Sequence, residues 1–370
     1  METPTTSATS HIPEGLELGG LHHVSAATGD IVGNRDFYTR ALGMRIVKKS
    51  VNQDAPDMYH LFYADGLGTP GTDVTFFDYQ GSAPANSRVA PNRPGSGEIQ
   101  EIALRVSGDE SLAYWAQRFD TLGIAHGDLS DRAGHKALPF TDPEGQRLAL
   151  IEDGGDAAAI PGGTPWELAT VPPQFGIKGL GAITISTARP EQTLRVLTEF
   201  LGFRIISETP DPENPVRRTV VLETGKGGPG GLFIVKVMPD EPRAHLGAGG
   251  VHHIAFRVDT FEHHAAWNEY LTKAGFHVTP LIDRFYFKAM YFREPGGVLY
   301  EISSDEPGFA TDEPLESMGE TLALPPFLEE LRPKIEEIIR PLDTIKPVTT
   351  TEYGQPIPAN ATTATSASSN

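Results

Sequence analysis

GLHHVSAATGDIVGNRDFYTRALGMRI at residues 20–46 and GLGAITISTARPEQTLRVLTEFLGFRI at residues 179–205 align without a gap. His23 to Gly43 is 20 residues, and so is Ala182 to Gly202. Each stretch reads as a strand with alternating apolar residues, an amphipathic helix, then Leu-Gly and another strand. A second pair follows. IQEIALRV from Ile99 resembles VHHIAFRV from Val251, and Glu101 to Gly123 spans 22 residues, as does His253 to Gly275. Both run into a Gly-containing turn and a last strand, DPEGQRLALIED from Asp142 and EPGGVLYEISSD from Glu294. The chain therefore carries four copies of one unit, a strand, a helix and two or three further strands.

Working outward, modules 1 and 2 form one half of the chain (18–165) and modules 3 and 4 the other (175–308), with Pro161, Pro165, Pro172 and Pro173 marking the linker. A polar, mobile arm is expected at 1–17 and a disordered Thr/Ser/Ala/Pro-rich tail at 343–370. A closing helical segment is expected within 320–342, its helix at about 326–340, with Pro333 disturbing the first turns.

The 370 residues carry a net charge of −19, which repels phosphate backbones and anionic headgroups and argues against nucleic-acid and membrane partners. No apolar run approaches the roughly 20 residues that span a bilayer, and METPTTSATS has neither the basic nor the apolar region of a secretory signal. The chain has no cysteine, so no thiolate can serve as ligand or nucleophile. A cytoplasmic location is expected. Assembly into a homo-oligomer is left open.

The repeat allows an internal test of function. Positions that serve packing alone should look alike in all modules. At the first-strand position the modules carry His23, Glu101, Ala182 and His253 in turn; at the last-strand position module 4 has Glu301 where module 2 has Ala149. Metal-capable residues thus concentrate in modules 1 and 4. Strict alternation places His253 with Ala255, and His23 with Ser25 and Ala27, on the face opposite Ile254, Phe256 and Val258. On that reading only one His of each HH doublet points inward, and the second of each pair begins the alternation. His23, His253 and Glu301 make the two-His, one-carboxylate set of non-haem Fe(II) oxygenases. Zn(II) or Mn(II) could use the same donors. His263 and His264 read as solvated residues early in a helix, and His60, His126, His135, His245 and His277 have no partner spacing.

At these residues the chain resembles the glyoxalase/bleomycin-resistance/extradiol-dioxygenase (vicinal oxygen chelate) superfamily, through GLHHVSAATGD, NRDFYTRALGMRIVKKSVNQD, GVHHIAFRV and EPGGVLYEI. Within it the chain looks like hydroquinone 1,2-dioxygenases and ring-cleaving dioxygenases linked to quinone stress, through DRFYFKAMYFREPGG and the use of modules 1 and 4. The resemblance implies an α+β fold: four βαβββ modules in two tandem glyoxalase-like domains, forming cupped mixed sheets, plus a C-terminal helix. It implies Fe(II) on His23, His253 and Glu301, with His22, Ser25, His252, Arg284 and Tyr291 around it. It also implies an aromatic diphenol and O2 as substrates. Ser25 departs from the Thr expected there and keeps the hydroxyl. Three other readings stay open: an extradiol catechol dioxygenase, a glyoxalase-like isomerase or lyase, and a metal-free binding or resistance protein. Glyoxalase-like sites often add a Glu from the third strand of module 1. Thr75 takes that place here, with Asp78 close by in sequence.

Overall fold

The computed structural model describes residues 11–84, 87–156 and 158–344. Module 1 is β1 (Leu21–Thr28), α1 (Ile31–Asp36), β2 (Arg45–Asn52), β3 (Ala55–Ala64) and β4 (Asp73–Asp78). Module 2 is β5 (Ile99–Val106), α2 (Gly108–Leu122), β6 (Ser130–Arg132), β7 (His135–Thr141) and β8 (Arg147–Glu152). Module 3 is β9 (Leu180–Thr187), α3 (Pro190–Arg195), β10 (Arg204–Pro210), β11 (Arg218–Glu223) and β12 (Leu232–Val237). Module 4 is β13 (Gly250–Val258), α4 (Phe261–Lys273), β14 (Ile282–Asp283), β15 (Lys288–Arg293) and β16 (Leu299–Ser304). All four are βαβββ units, as the repeat predicts.

Two eight-stranded mixed sheets result, in the orders β14-β15-β16-β13-β1-β4-β3-β2 and β10-β11-β12-β9-β5-β8-β7-β6. Sheet partnership crosses the halves of the chain: module 1 joins module 4, and module 2 joins module 3. Each module leaves its first strand at the edge of its own four, and an edge strand needs a partner. β1 takes β13 and β5 takes β9, both antiparallel. This pairing brings the two HH doublets side by side.

Val24 and Ala26 of β1 and Ile254 and Phe256 of β13 are fully buried in one core shared with Trp115 of α2 and Trp267 of α4. The opposite face of the second sheet is filled by small and branched residues, among them Ala103, Ala137, Ala149, Ala182 and Val221. The counterpart of the metal position is therefore packed shut, and Glu101 is tied to Arg132 by two hydrogen bonds of 2.8 and 3.1 Å.

Three local expectations need correction. The first ten residues of the arm at 1–17 lie outside the described residues, as does the tail from 345 onward; the remainder of the arm is mostly exposed but anchored, with Leu16 buried in the core and the His11 N–H donating to Glu199 O. The closing α-helix is shorter than the expected 326–340. Pro326–Leu331 form a 3-10 helix and α5 covers Arg332–Ile338, with Pro333 as its second residue, in the first turn where a missing N–H costs nothing. His264 is not solvated: it shares the inward face of α4 with Trp267 and Leu271, fully buried, its Nε2 2.9 Å from Ile302 O.

Candidate metal centre and its pocket

His23 of β1, Ala255 of β13, Glu301 of β16 and Tyr291 of β15 stand in register across four adjacent strands. Ala255 lies between His23 and Glu301, and its single methyl leaves room for both side chains to meet above it. His253 precedes Ala255 by two residues and shares its face. The strands do not alternate strictly, however. Leu21 pairs with Phe256 and His23 with Ala255, which makes His22 an extra residue in β1; Ser25 pairs with His253 and Ala26 with Val251, which makes His252 an extra residue in β13. Each HH doublet thus sits in a β-bulge, a feature that re-aims side chains. His23, His252 and His253 line the pocket and His22 does not, so the expectation of one inward His holds for the first doublet and fails for the second. The two rings of each doublet meet through their Nδ1 atoms, at 2.9 Å for His22–His23 and 2.7 Å for His252–His253.

The Nε2 atoms of the second histidines point at Glu301. Glu301 Oε2 lies 2.8 Å from His253 Nε2 and 3.4 Å from His23 Nε2, which are 3.4 Å from each other. All three side chains are buried. Glu301 Oε1 accepts from Ser303 Oγ at 2.6 Å, whereas Oε2 has no aligned hydrogen-bond partner despite its short contacts. Burial opposes ionisation of Glu301, but His23 and His253 outweigh it and hold the carboxyl well below its usual range. Burial lowers His253, with Glu301 acting against it.

Proton counting tests whether these atoms suit a cation. His22 Nε2 is 3.2 Å from Ser304 O, and a carbonyl can only accept, so Nε2 carries the proton. Burial holds His22 well below the usual histidine range, so the ring is neutral and its Nδ1 accepts from His23 Nδ1–H. With Nδ1 donating to His22, His23 can present the lone pair of Nε2 to a cation beside Glu301 Oε2. Lone pairs converging in a buried site repel unless a cation lies among them. The donor set fits a divalent metal, and the His22–Ser304 contact is the outer hydrogen bond that usually orients a ligating His.

Above the trio is a cavity of about 540 Å³ with walls from Phe62, Phe77, Tyr286, Phe287 and Tyr291. Burial pushes the Tyr291 phenol far up, and Glu301 pushes the same way against Arg284, so the hydroxyl keeps its proton. The Arg284 guanidinium lies 5.8 Å from the Tyr291 ring centroid and donates to Asp54 Oδ2 at 2.9 Å. The loop that carries Arg284, Tyr286 and Phe287 bends at Phe285, whose φ of 70° is unusual for a bulky residue. Ser25 and Thr75 are in register, and their hydroxyls are 2.7 Å apart. Asp78 is ion-paired with Arg340 at 3.0 Å and does not line the pocket.

Sequence spacing misses His60. It comes from β3, its Nε2 is 2.9 Å from Thr75 Oγ1, and its ring lies between Phe62 and Phe77, with centroids at 4.0 and 4.1 Å. Burial keeps it well below the usual histidine range. Gln53 and Asp54, also missed, hold Arg284 through its carbonyl and its guanidinium. The KKSVNQD stretch contains both, but nothing in it announces a contact with residue 284.

Buried His-His-Glu donors below an aromatic pocket, on curled sheets of paired βαβββ units, define a class, and the comparisons agree. Residues 20–150 and 179–302 match the model of the Glyoxalase/Bleomycin resistance protein/Dioxygenase superfamily, and the chain belongs to it. It is 43% identical to the candidate ring-cleaving dioxygenase MhqA of Bacillus subtilis (strain 168), over 88% of this chain and 100% of that protein. It is 29% identical to a chlorohydroquinone/hydroquinone 1,2-dioxygenase of Sphingobium indicum, over 90% of this chain and 98% of that one. A crystal structure of a candidate dioxygenase from Bacillus subtilis superposes with a TM-score of 0.78 at 34% identity, covering 89% of this chain and 99% of the other. Glyoxalase I from Zea mays, at 14% identity and a TM-score of 0.52 over 77% of this chain and 92% of that one, shares the fold alone.

Proposed function

We propose that this chain is a ring-cleaving dioxygenase that acts on a hydroquinone, with Fe(II) held by His23, His253 and Glu301. The observation that carries the reading is the buried set of three converging ligand atoms at the floor of an aromatic cavity. The names of the relatives support the reaction class. Bound there, Fe(II) would favour the phenolate of a diphenol, whose hydroxyl otherwise titrates near 10, and would bring O2 beside the ring.

The chain's own residues supply orientation and proton control. His22, fixed by the Ser304 carbonyl, holds His23 in one tautomer. His252, lowered by burial to about 4, is neutral at pH 7 and meets His253 Nδ1 at 2.7 Å from the pocket side, which orients that ring. Tyr291, still protonated, can donate to an oxygen of the substrate. Arg284 offers a fixed positive charge to a phenolate or a polar ring substituent. Phe62, Phe77 and Phe287 face the ring and exclude water. Thr75 supplies a neutral hydroxyl where a glyoxalase-like site would have a carboxylate as fourth ligand, which leaves room for two substrates and favours an oxygenase over an isomerase.

The test is anaerobic loading with Fe(II), followed by O2 uptake with methylhydroquinone, chlorohydroquinone, catechol and the methylglyoxal–glutathione adduct. Uptake with the para-diphenols is expected. Activity with the thiohemiacetal and no uptake with any diphenol would overturn the reading.

A further inference from the structure

A second cavity, of about 400 Å³, lies beside the metal pocket and shares His252 and Leu299 with it as a common wall. Its character is different. Arg243 and Arg293 both line it, and both approach Gly297: Arg293 Nη1 donates to Gly297 O at 2.5 Å, and Arg243 Nη2 lies 3.4 Å from where a Cβ on Gly297 would be. Among the described residues neither guanidinium has a carboxylate at ion-pair distance, in a chain whose 49 acidic residues outnumber its 30 basic ones. Glu98 also lines the cavity, but its two oxygens are engaged by Asn92 Nδ2 at 3.1 Å and Gly95 N–H at 3.0 Å. Arg293 is near enough to disfavour a charge on His252. Two unpaired guanidiniums at one glycine therefore stand one side chain away from the reacting ring.

We propose that this chamber is a carboxylate subsite of the active centre. Planar guanidiniums match a carboxylate in charge and geometry. The inference deepens the dioxygenase reading and rests on it for one of two carboxylate sources. Insertion of both atoms of O2 between a hydroxylated ring carbon and its neighbour breaks that C–C bond. The hydroxylated carbon becomes a carboxylic acid, which ionises at neutral pH, and a neighbour bearing hydrogen becomes an aldehyde. A neutral ring thus yields an anion, and the chamber would receive its carboxylate. The other source is a hydroquinone that carries a carboxylate on a short side chain.

The experiment compares the Fe(II)-loaded protein with its Arg243→Gln/Arg293→Gln variant. Both residues are exposed, so the variant should fold. Anaerobic calorimetry with 2,5-dihydroxyphenylacetate needs no turnover. The variant should bind this probe about tenfold more weakly, with a gap that narrows as salt rises, while methylhydroquinone binds equally to both. The ring-opened acid made from methylhydroquinone should inhibit the wild type more strongly than the variant, which separates product from carboxylated substrate as the source. Equal weakening toward both diphenols, or no weakening toward the carboxylated probe, would overturn the subsite. If no diphenol consumes O2, the dioxygenase reading fails while the binding comparison still decides the subsite.

Discussion

Replacing Lys48 by Met should loosen the pocket wall from a distance. Lys48 on β2 is fully buried, yet its ammonium donates to Asp312 Oδ1 at 2.7 Å and Glu313 Oε2 at 2.5 Å, both in the segment after module 4. It also lies 4.5 Å from the centroid of Tyr286, whose hydroxyl donates to Asp312 Oδ2 at 2.9 Å. One buried cation thus fastens the closing segment and, through Asp312, a residue that lines the cavity. Removing it leaves two carboxylates facing each other. Breaking a buried pair costs about 3–5 kcal/mol, and the 22% exposure of the Asp312 side chain places this case near about 3. Loss of the ring contact adds about 1 kcal/mol. Urea unfolding should show the loss, and KM for methylhydroquinone should rise more than kcat falls, because Tyr286 is displaced. The triple variant Lys48→Met/Asp312→Asn/Glu313→Gln removes the stranded charges and should recover most of the stability. A loss below about 1 kcal/mol in the single variant, or a triple variant as unstable as the single, would refute the reasoning.

Ala255→Val should keep the fold but abolish metal retention, measured by metal analysis beside far-UV circular dichroism, because the added methyls occupy the gap between His23 and Glu301. His60→Asn presents an atom near the ring's Nδ1 and His60→Gln one near Nε2; if the pocket-facing nitrogen contacts substrate, steady-state kinetics should show a nearly normal KM for Asn and a raised one for Gln, whereas a purely structural tie to Thr75 predicts the reverse. Burial pushes the Asp142 carboxyl up to about 7, so its contribution to stability is full below the unfolded value near 3.9 and is lost as pH rises through 7. Asp142→Asn can still accept from the Glu144 and Gln146 N–H groups, and its unfolding free energy should lack that decline, which is at most roughly 4 kcal/mol between pH 4 and pH 8.

Much of this was legible before the structure. The gapless repeat gives the four modules, and the replacement of ligand-type residues by Ala182 and Ala149 marks a single site rather than two. What spacing could not show has identifiable physical causes. A β-bulge is one extra residue in a pairing, so it appears only once the partner strand is known; that is why strict alternation did not place His252 on the pocket wall. His60 reaches the pocket because β3 pairs with β4, which itself lies beside β1, a strand order that sequence spacing does not give. Phe285 takes a left-handed φ with no glycine or asparagine to announce it. The closing helix was read as beginning near 326 because the change from 3-10 to α at Arg332 was not visible from composition.

The most direct test of the central claim is ferrous iron content after anaerobic loading and gel filtration, compared between the wild type and the His253→Ala and Glu301→Ala variants. One equivalent of iron per chain in the wild type and none in either variant is the predicted result. Iron retained by both variants at the wild-type level would contradict the His23–His253–Glu301 site.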